Sequence, residues 1–190
     1  MYKRQVNASS VGSYDLNLVN NEENLTLKKL QENDFEIVFL IGQDNLKFKK
    51  KAEFIVYIGS HGDNGAEIAD VILPGATYTE QDGFFTNLEG KLQKAYRASF
   101  PPGEAKEDYK ILNELSELLK RKKLFQNKDE IIDNLLNYLD LNQKKIQSKN
   151  FSSVDYIDEK IIINPIDYYY SNVIARASKT MSECRSIKTD

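Results

Sequence analysis

The chain has 190 residues, of which 41% are hydrophobic and 29% charged, and its formal net charge is −3. That length suits one ordinary domain, and no apolar run is long enough for direct membrane insertion. A single cysteine and a single histidine exclude an internal disulfide framework and cannot build an iron–sulfur cluster or a structural zinc site, while the acidic balance argues against a nucleic-acid partner.

The first ten residues, MYKRQVNASS, carry two basic side chains with no apolar stretch behind them, so they read as neither a secretory signal nor a presequence. Glu22 to Gln31 places Leu25, Leu27 and Leu30 at helical spacing. Phe35 to Ile41 (FEIVFLI) reads as a strand closed by Gly42. Phe54 to Ile58 is a second strand, ended by Gly59, and Ala66 to Ala69 supplies a helical turn before a third strand at Val71-Ile72-Leu73. This last run is wholly apolar, which predicts a strand covered on both faces. Pro74-Gly75 then predicts a type II turn, with proline pre-setting φ and glycine accepting the positive φ that follows. Breaks at Asp82-Gly83 and Glu89-Gly90 bracket two short extended pieces, Phe84 to Thr86 and Lys91 to Tyr96.

From Glu107 the period changes to that of a helix. Ile111, Leu112, Leu115, Leu118 and Leu119 share one face, with Asp108 near its start and Lys120 to Lys123 at its end, where they complement the helix dipole. Glu130 to Leu141 is a second amphipathic stretch, carrying Ile131, Leu135, Tyr138 and Leu139 on one side. Asn142 to Ser153 lacks periodicity and reads as a loop. Ile161 to Ile163 reads as an edge strand, and Asn172 to Cys184 as one terminal helix rich in small residues. The expected class is α/β, part of an open, mainly parallel sheet with a helical C-terminal region. Its expected divisions are an α/β domain over 1–123, which the resemblance set out below implies is partial, a helical and linker region over 124–160, and a C-terminal extension over 161–190, which the same resemblance implies packs on a larger complex.

Candidate chemistry is sparse. Gly59-Ser60-His61-Gly62-Asp63-Asn64-Gly65 follows a strand, and such glycines let backbone amides approach a phosphate or a pterin-like group. The run lacks a P-loop lysine and does not match the dinucleotide fingerprint, and a sharp connection needing positive φ accounts for the glycines equally well. His61 beside Asp63 has the makings of a general base, but no motif positions a nucleophile. Glu80, Asp82 and Glu89 read as solvated loop acids, Lys49 to Lys51 as solvated loop residues, and Cys184 as a small, partly buried residue. No catalytic, cofactor-binding or metal-binding residue is assigned.

The blocks ADVILPGATYTE, NLEG and PPGEAKEDYKI, within Gly59 to Leu119, resemble in order and spacing the C-terminal half of the large iron–sulfur subunit of respiratory complex I, NADH:ubiquinone oxidoreductase. They more distantly resemble molybdopterin-dependent oxidoreductases such as formate dehydrogenases. Val11 to Leu16 and Ser171 to Cys184 (SNVIARASKTMSEC) extend the likeness outward, and the second favours complex I. Residues 120 to 165 resemble no family that can be named. Lys91 and Tyr109 stand where the family usually has arginine and tryptophan.

The resemblance implies a scaffold role without catalytic residues or a cofactor on this chain, iron–sulfur clusters on partner chains, and a place on the matrix side of the mitochondrial inner membrane. Implied partners are the chain carrying the N-terminal iron–sulfur part of the same subunit and other peripheral-arm subunits. The family's large α/β domain is entered near residue 6, so a divided gene is expected, with the remainder of the domain on another polypeptide. The alternative implied is a molybdopterin-dependent oxidoreductase fragment that contacts its cofactor through Gly59 to Gly65 and Thr77 to Glu80. A free-standing α/β binding module is the third reading.

Overall fold

A computed structural model of the chain describes residues 10–18, 29, 30, 32, 35–44, 46, 48–62, 64–143 and 167–189. Most of the predicted helix over 22–31, Asp63, much of the predicted loop over 142–153 and the predicted edge strand over 161–163 lie outside the described residues.

Three parallel strands, β1 (Ile37–Ile41), β2 (Phe54–Gly59) and β3 (Val71–Pro74), pair in the order β1-β2-β3. Alternation along β2 supplies both halves of the core. Ile55 and Tyr57 face one way, packing with Leu40, Val38, Ala66 and Ile68. Val56 and Ile58 face the other, against Ile111, Leu73 and Leu112. A side chain fully buried like Ile55, at 0% exposure, contributes roughly 1.5–3 kcal/mol by leaving water. The short helix α2 follows α1 (Ser10–Asp15) in chain order, spans Asn64–Ile68 and bridges β2 to β3. Asp70 fixes that bridge, because its carboxylate accepts from the Ile55 N–H at 2.8 Å and pairs with Lys50 at 2.6 Å. The Lys50 hydrogen bond leads the influences holding Asp70 below the usual carboxylate range. Lys50 is thus a strut and not the solvated residue that its run suggests.

The expectation of a doubly covered strand at Val71–Leu73 fails. β3 is an edge strand with Val71 at 37% and Ile72 at 55% exposure, and β2 is the strand that is covered on both sides. An apolar run alone does not say which position in the sheet a strand takes. The Pro74-Gly75 turn fails too. The strand runs on through Pro74, Gly75 bridges Lys106 in parallel, and Gly75 is not among the positive-φ glycines, which are Gly42, Gly90 and Gly103. Glycine is needed there for closeness, since a Cβ would stand 2.9 Å from Asp108 Oδ1 and 3.4 Å from the Gly59 nitrogen.

The two extended pieces form an antiparallel hairpin, β4 (Gly83–Thr86) and β5 (Leu92–Ala95). Its turn has Gly90 at φ +79°, and Asn87 Oδ1 accepts from the Glu89 and Lys91 amides at 3.0 and 2.9 Å. Helix α3 (Asp108–Leu118) lays Ile111 on the sheet and ends before the lysine run, so no basic residue lies in its last turn. Its connection to α4 (Lys128–Gln143) is braced by Asn113, whose Nδ2 donates to Phe125 O at 2.8 Å while Oδ1 accepts from the Leu124 and Phe125 amides. The predicted single terminal helix is two, α5 (Val173–Ala177) and α6 (Lys179–Thr189), parted at Ser178, whose ψ of 120° is extended. Cys184 is exposed on α6, not partly buried.

Candidate functional site at the carboxyl ends of the parallel strands

Open parallel sheets bind ligands in the crevice beyond the carboxyl ends of their strands. Here those ends are Gly42 to Asp44 after β1, Gly59 to Gly62 after β2, and Gly75 to Thr77 after β3, with the start of α3 beside them. Backbone bonds tie them together: Gly42 N to Ile58 O at 2.8 Å, Gly75 N to Gly59 O at 3.0 Å and Gly65 N to Asp44 O at 3.3 Å.

None of Gly59, Gly62 and Gly65 is at positive φ, so turn geometry does not explain the glycine loop. Two of the three are explained by Tyr57. A Cβ on Gly59 would fall 2.3 Å from the Tyr57 hydroxyl, and one on Gly65 would fall 3.0 Å from its ring and 2.6 Å from Gln43 O. The ring is held there by its hydroxyl, which donates to His61 O at 2.7 Å. His61 Nδ1 lies 3.0 Å from the Ser60 hydroxyl on the exposed side of the loop. The His61–Asp63 pairing cannot be followed, because Asp63 is outside the described residues.

Two carboxylates, one in the loop after β1 and one at the start of α3, mark this end of the sheet. Asp44 is buried and paired with Arg176 of α5. Asp108 sits against Gly75, and burial, assisted by the neighbouring Glu107 charge, raises its carboxyl above the ordinary range. Glu107 itself is buried. Burial works to raise it, but the Lys128 and Lys110 ammonium groups, at 2.5 and 3.2 Å, outweigh that and its net direction is down. The loop acids also differ from expectation. Glu80 accepts from the Thr77 amide at 3.0 Å, and Asp82 accepts from the Arg97 amide at 2.7 Å, a bond that leads the influences holding Asp82 low. They brace turns. The Thr77 hydroxyl is buried without a hydrogen-bond partner.

A phosphate-bearing pterin does not fit this arrangement. The side of the loop that glycines leave open is filled by Tyr57, Gly59 to Gly65 contains no lysine or arginine, and the guanidinium of Arg176 beside it is already paired with the buried Asp44. Among the described residues, no group of three or more histidine, cysteine or acidic side chains is placed to hold a metal ion.

The family model described as molybdopterin oxidoreductase matches residues 4–118. The chain belongs to the molybdopterin oxidoreductase family. A second family model, for the C-terminal region of the NADH-ubiquinone oxidoreductase G subunit, matches residues 137–184, and so assigns much of the stretch over 120–165 that resembles no nameable family in its motifs. The chain is similar to the NADH-quinone oxidoreductase G subunit of Rickettsia bellii, with 42% identity over 96% of this chain and 27% of that protein. It is 36% identical to the NADH-ubiquinone oxidoreductase 75 kDa subunit of Reclinomonas americana, over 95% of this chain and 28% of the other. It is also 36% identical to the mitochondrial NADH-ubiquinone oxidoreductase 78 kDa subunit of Candida albicans, over 94% and 26%. The chain therefore spans about a quarter of the length of these relatives. Its family membership accounts for the parallel sheet, while the residues at the strand ends decide what that sheet can hold.

Proposed function

We propose that this chain is a non-catalytic scaffold portion of the peripheral arm of respiratory complex I, supporting electron transfer from NADH to ubiquinone on the matrix side of the mitochondrial inner membrane. The observation that carries the reading is the pairing of the two family matches on one chain, the molybdopterin oxidoreductase model over 4–118 followed over 137–184 by the model for the C-terminal region of the NADH-ubiquinone oxidoreductase G subunit. The poor fit of the strand ends to a phosphate-bearing cofactor supports a structural role. Iron–sulfur clusters are then carried by partner chains, since cluster ligation needs several thiolates and this chain has one cysteine.

The sheet surface supports a large neighbour. By register, Ile37, Phe39 and Ile41 of β1, Phe54 of β2 and Val71 of β3 share a face, and all five are exposed. Parallel sheets are ordinarily covered on both faces. The proposed cover is the chain bearing the N-terminal iron–sulfur part of the same subunit, with other peripheral-arm subunits beyond it. No helix among the described residues is long and apolar enough to cross a membrane. Mass spectrometry of the native complex isolated with this chain tests the reading: the cluster-bearing part and NADH dehydrogenase subunits are expected in stoichiometric amounts, and their absence overturns it.

The alternative, a fragment contacting a molybdopterin cofactor, is favoured by one observation, the unpartnered Thr77 hydroxyl in the segment that would touch it. Stoichiometric molybdenum or tungsten in the native assembly would favour that alternative.

A further inference from the structure

Asp44 lies in the loop directly after β1, buried, with its backbone oxygen accepting from Gly65 N. Its carboxylate is met by the guanidinium of Arg176, 132 residues further along the chain. Arg176 uses both ends of its fork, with Nη2 on Asp44 Oδ2 and Nη1 donating to Tyr170 O at 3.2 Å. The segment that presents Arg176 is braced within itself. Asn172 caps α5 through the Ala175 amide at 2.9 Å. The Tyr170 hydroxyl donates to Ser182 Oγ at 3.0 Å. Arg185 pairs with Asp167 at 2.6 Å and stacks over the Tyr170 ring at 4.8 Å. A segment braced within itself thus brings the Arg176 cation to the loop that follows β1.

We propose that residues 167–189 are a clasp, seated by Arg176 on Asp44, that closes the carboxyl end of the parallel sheet against phosphate-bearing ligands. A buried carboxylate stripped of its cation is strongly disfavoured, so the crevice stays shut unless another cation replaces the arginine. Arg176 is committed to Asp44, so a phosphate that draws on this guanidinium must first break the pair. The inference rests on these contacts and stands whether or not the chain belongs to complex I.

Hydrogen-exchange mass spectrometry on the native assembly tests it, comparing the wild type with Arg176→Gln and Asp44→Asn. Each variant is expected to speed exchange of the amides over 173–189 by about tenfold or more while β2 amides keep their protection. Unchanged exchange over 173–189 in both variants overturns the clasp. So does loss of β2 protection, since the closure is proposed to be separable from the sheet. Without any substitution, inorganic pyrophosphate added to the wild type is expected to leave exchange over 42–44, 59–65 and 173–189 unaltered. Protection there would show that the crevice is open.

Discussion

β2 and β3 are written in nearly the same alphabet, FIVYIG and VILP, yet one is the centre of the core and the other its rim. β2 has a strand on each side, Ile55 and Tyr57 covered by one cluster, and Val56 and Ile58 by the other. β3 pairs on one side only, and α3 reaches its Leu73 but leaves Ile72 out. Burial in this chain follows position in the sheet order rather than the hydrophobicity of the run. Deliberate substitutions sharpen that contrast, most directly when read by hydrogen exchange in the native assembly.

The largest effect is expected at the centre. Ile55→Ala removes a fully buried side chain whose site cannot easily collapse, and should weaken β2 protection by about 2–5 kcal/mol. A loss under about 1 kcal/mol would mean that β2 is not the core strand. Next comes Gly65→Ala, whose Cβ would meet backbone oxygen at 2.6 Å as well as the Tyr57 ring. It should cost about 1–3 kcal/mol and loosen the Tyr57 side of the sheet before the α3 side.

Lys128→Ala removes the nearer of the two ammonium groups on the buried Glu107, leaving Lys110, and should cost a similar or smaller amount, about 1–3 kcal/mol. Because Glu107 is held below its usual value, the wild-type contribution is complete above the unfolded carboxylate pKa and disappears as pH falls through the lower, folded one. The variant should therefore show a flatter acid limb in a stability-versus-pH curve.

Asp108 has the opposite sign. With its folded pKa raised, it opposes stability once pH exceeds that value, and the penalty disappears as pH falls below the unfolded one. Asp108→Asn should thus raise the unfolding midpoint at pH 7 and lose that advantage in acid; an equal gain at both pH values would refute burial as the cause. The smallest effect belongs to the rim, where Ile72→Thr should change protection by less than about 0.5 kcal/mol. A penalty as large as that of Ile55→Ala would mean that a neighbour covers β3 in the assembly.

The elements themselves were largely legible. Strand positions, the two extended pieces between Gly83 and Ala95, and α3 follow from glycine breaks, apolar runs and helical spacing, all of which are local, whereas the antiparallel pairing of the two pieces does not. The break at Glu89-Gly90 is a turn with Gly90 at φ +79°, a demand that a glycine meets through its own backbone. Gly59, Gly65 and Gly75 were read for the wrong reason. Their constraint comes from Tyr57, Gln43 and Asp108, whose proximity no sequence spacing announces. Asn113 had no visible signal either, since an asparagine within a helix looks neutral until the chain folds back onto it. Asp44 and Arg176 lay in plain sight after a strand-ending glycine and within a terminal helix, but nothing local joins them.

By itself the sequence determined the α/β class, the existence of three parallel-type strands, the lack of cysteines for a cluster and the likeness to complex I, because each is written in composition, periodicity or contiguous motif. Tertiary structure alone decided that β2 and not β3 is the covered strand, that Tyr57 fills the space the glycines leave, and that Arg176 lies on Asp44 at the crevice. Those outcomes depend on which surfaces compete for burial and which charges meet once water is excluded, and both are properties of the assembled fold.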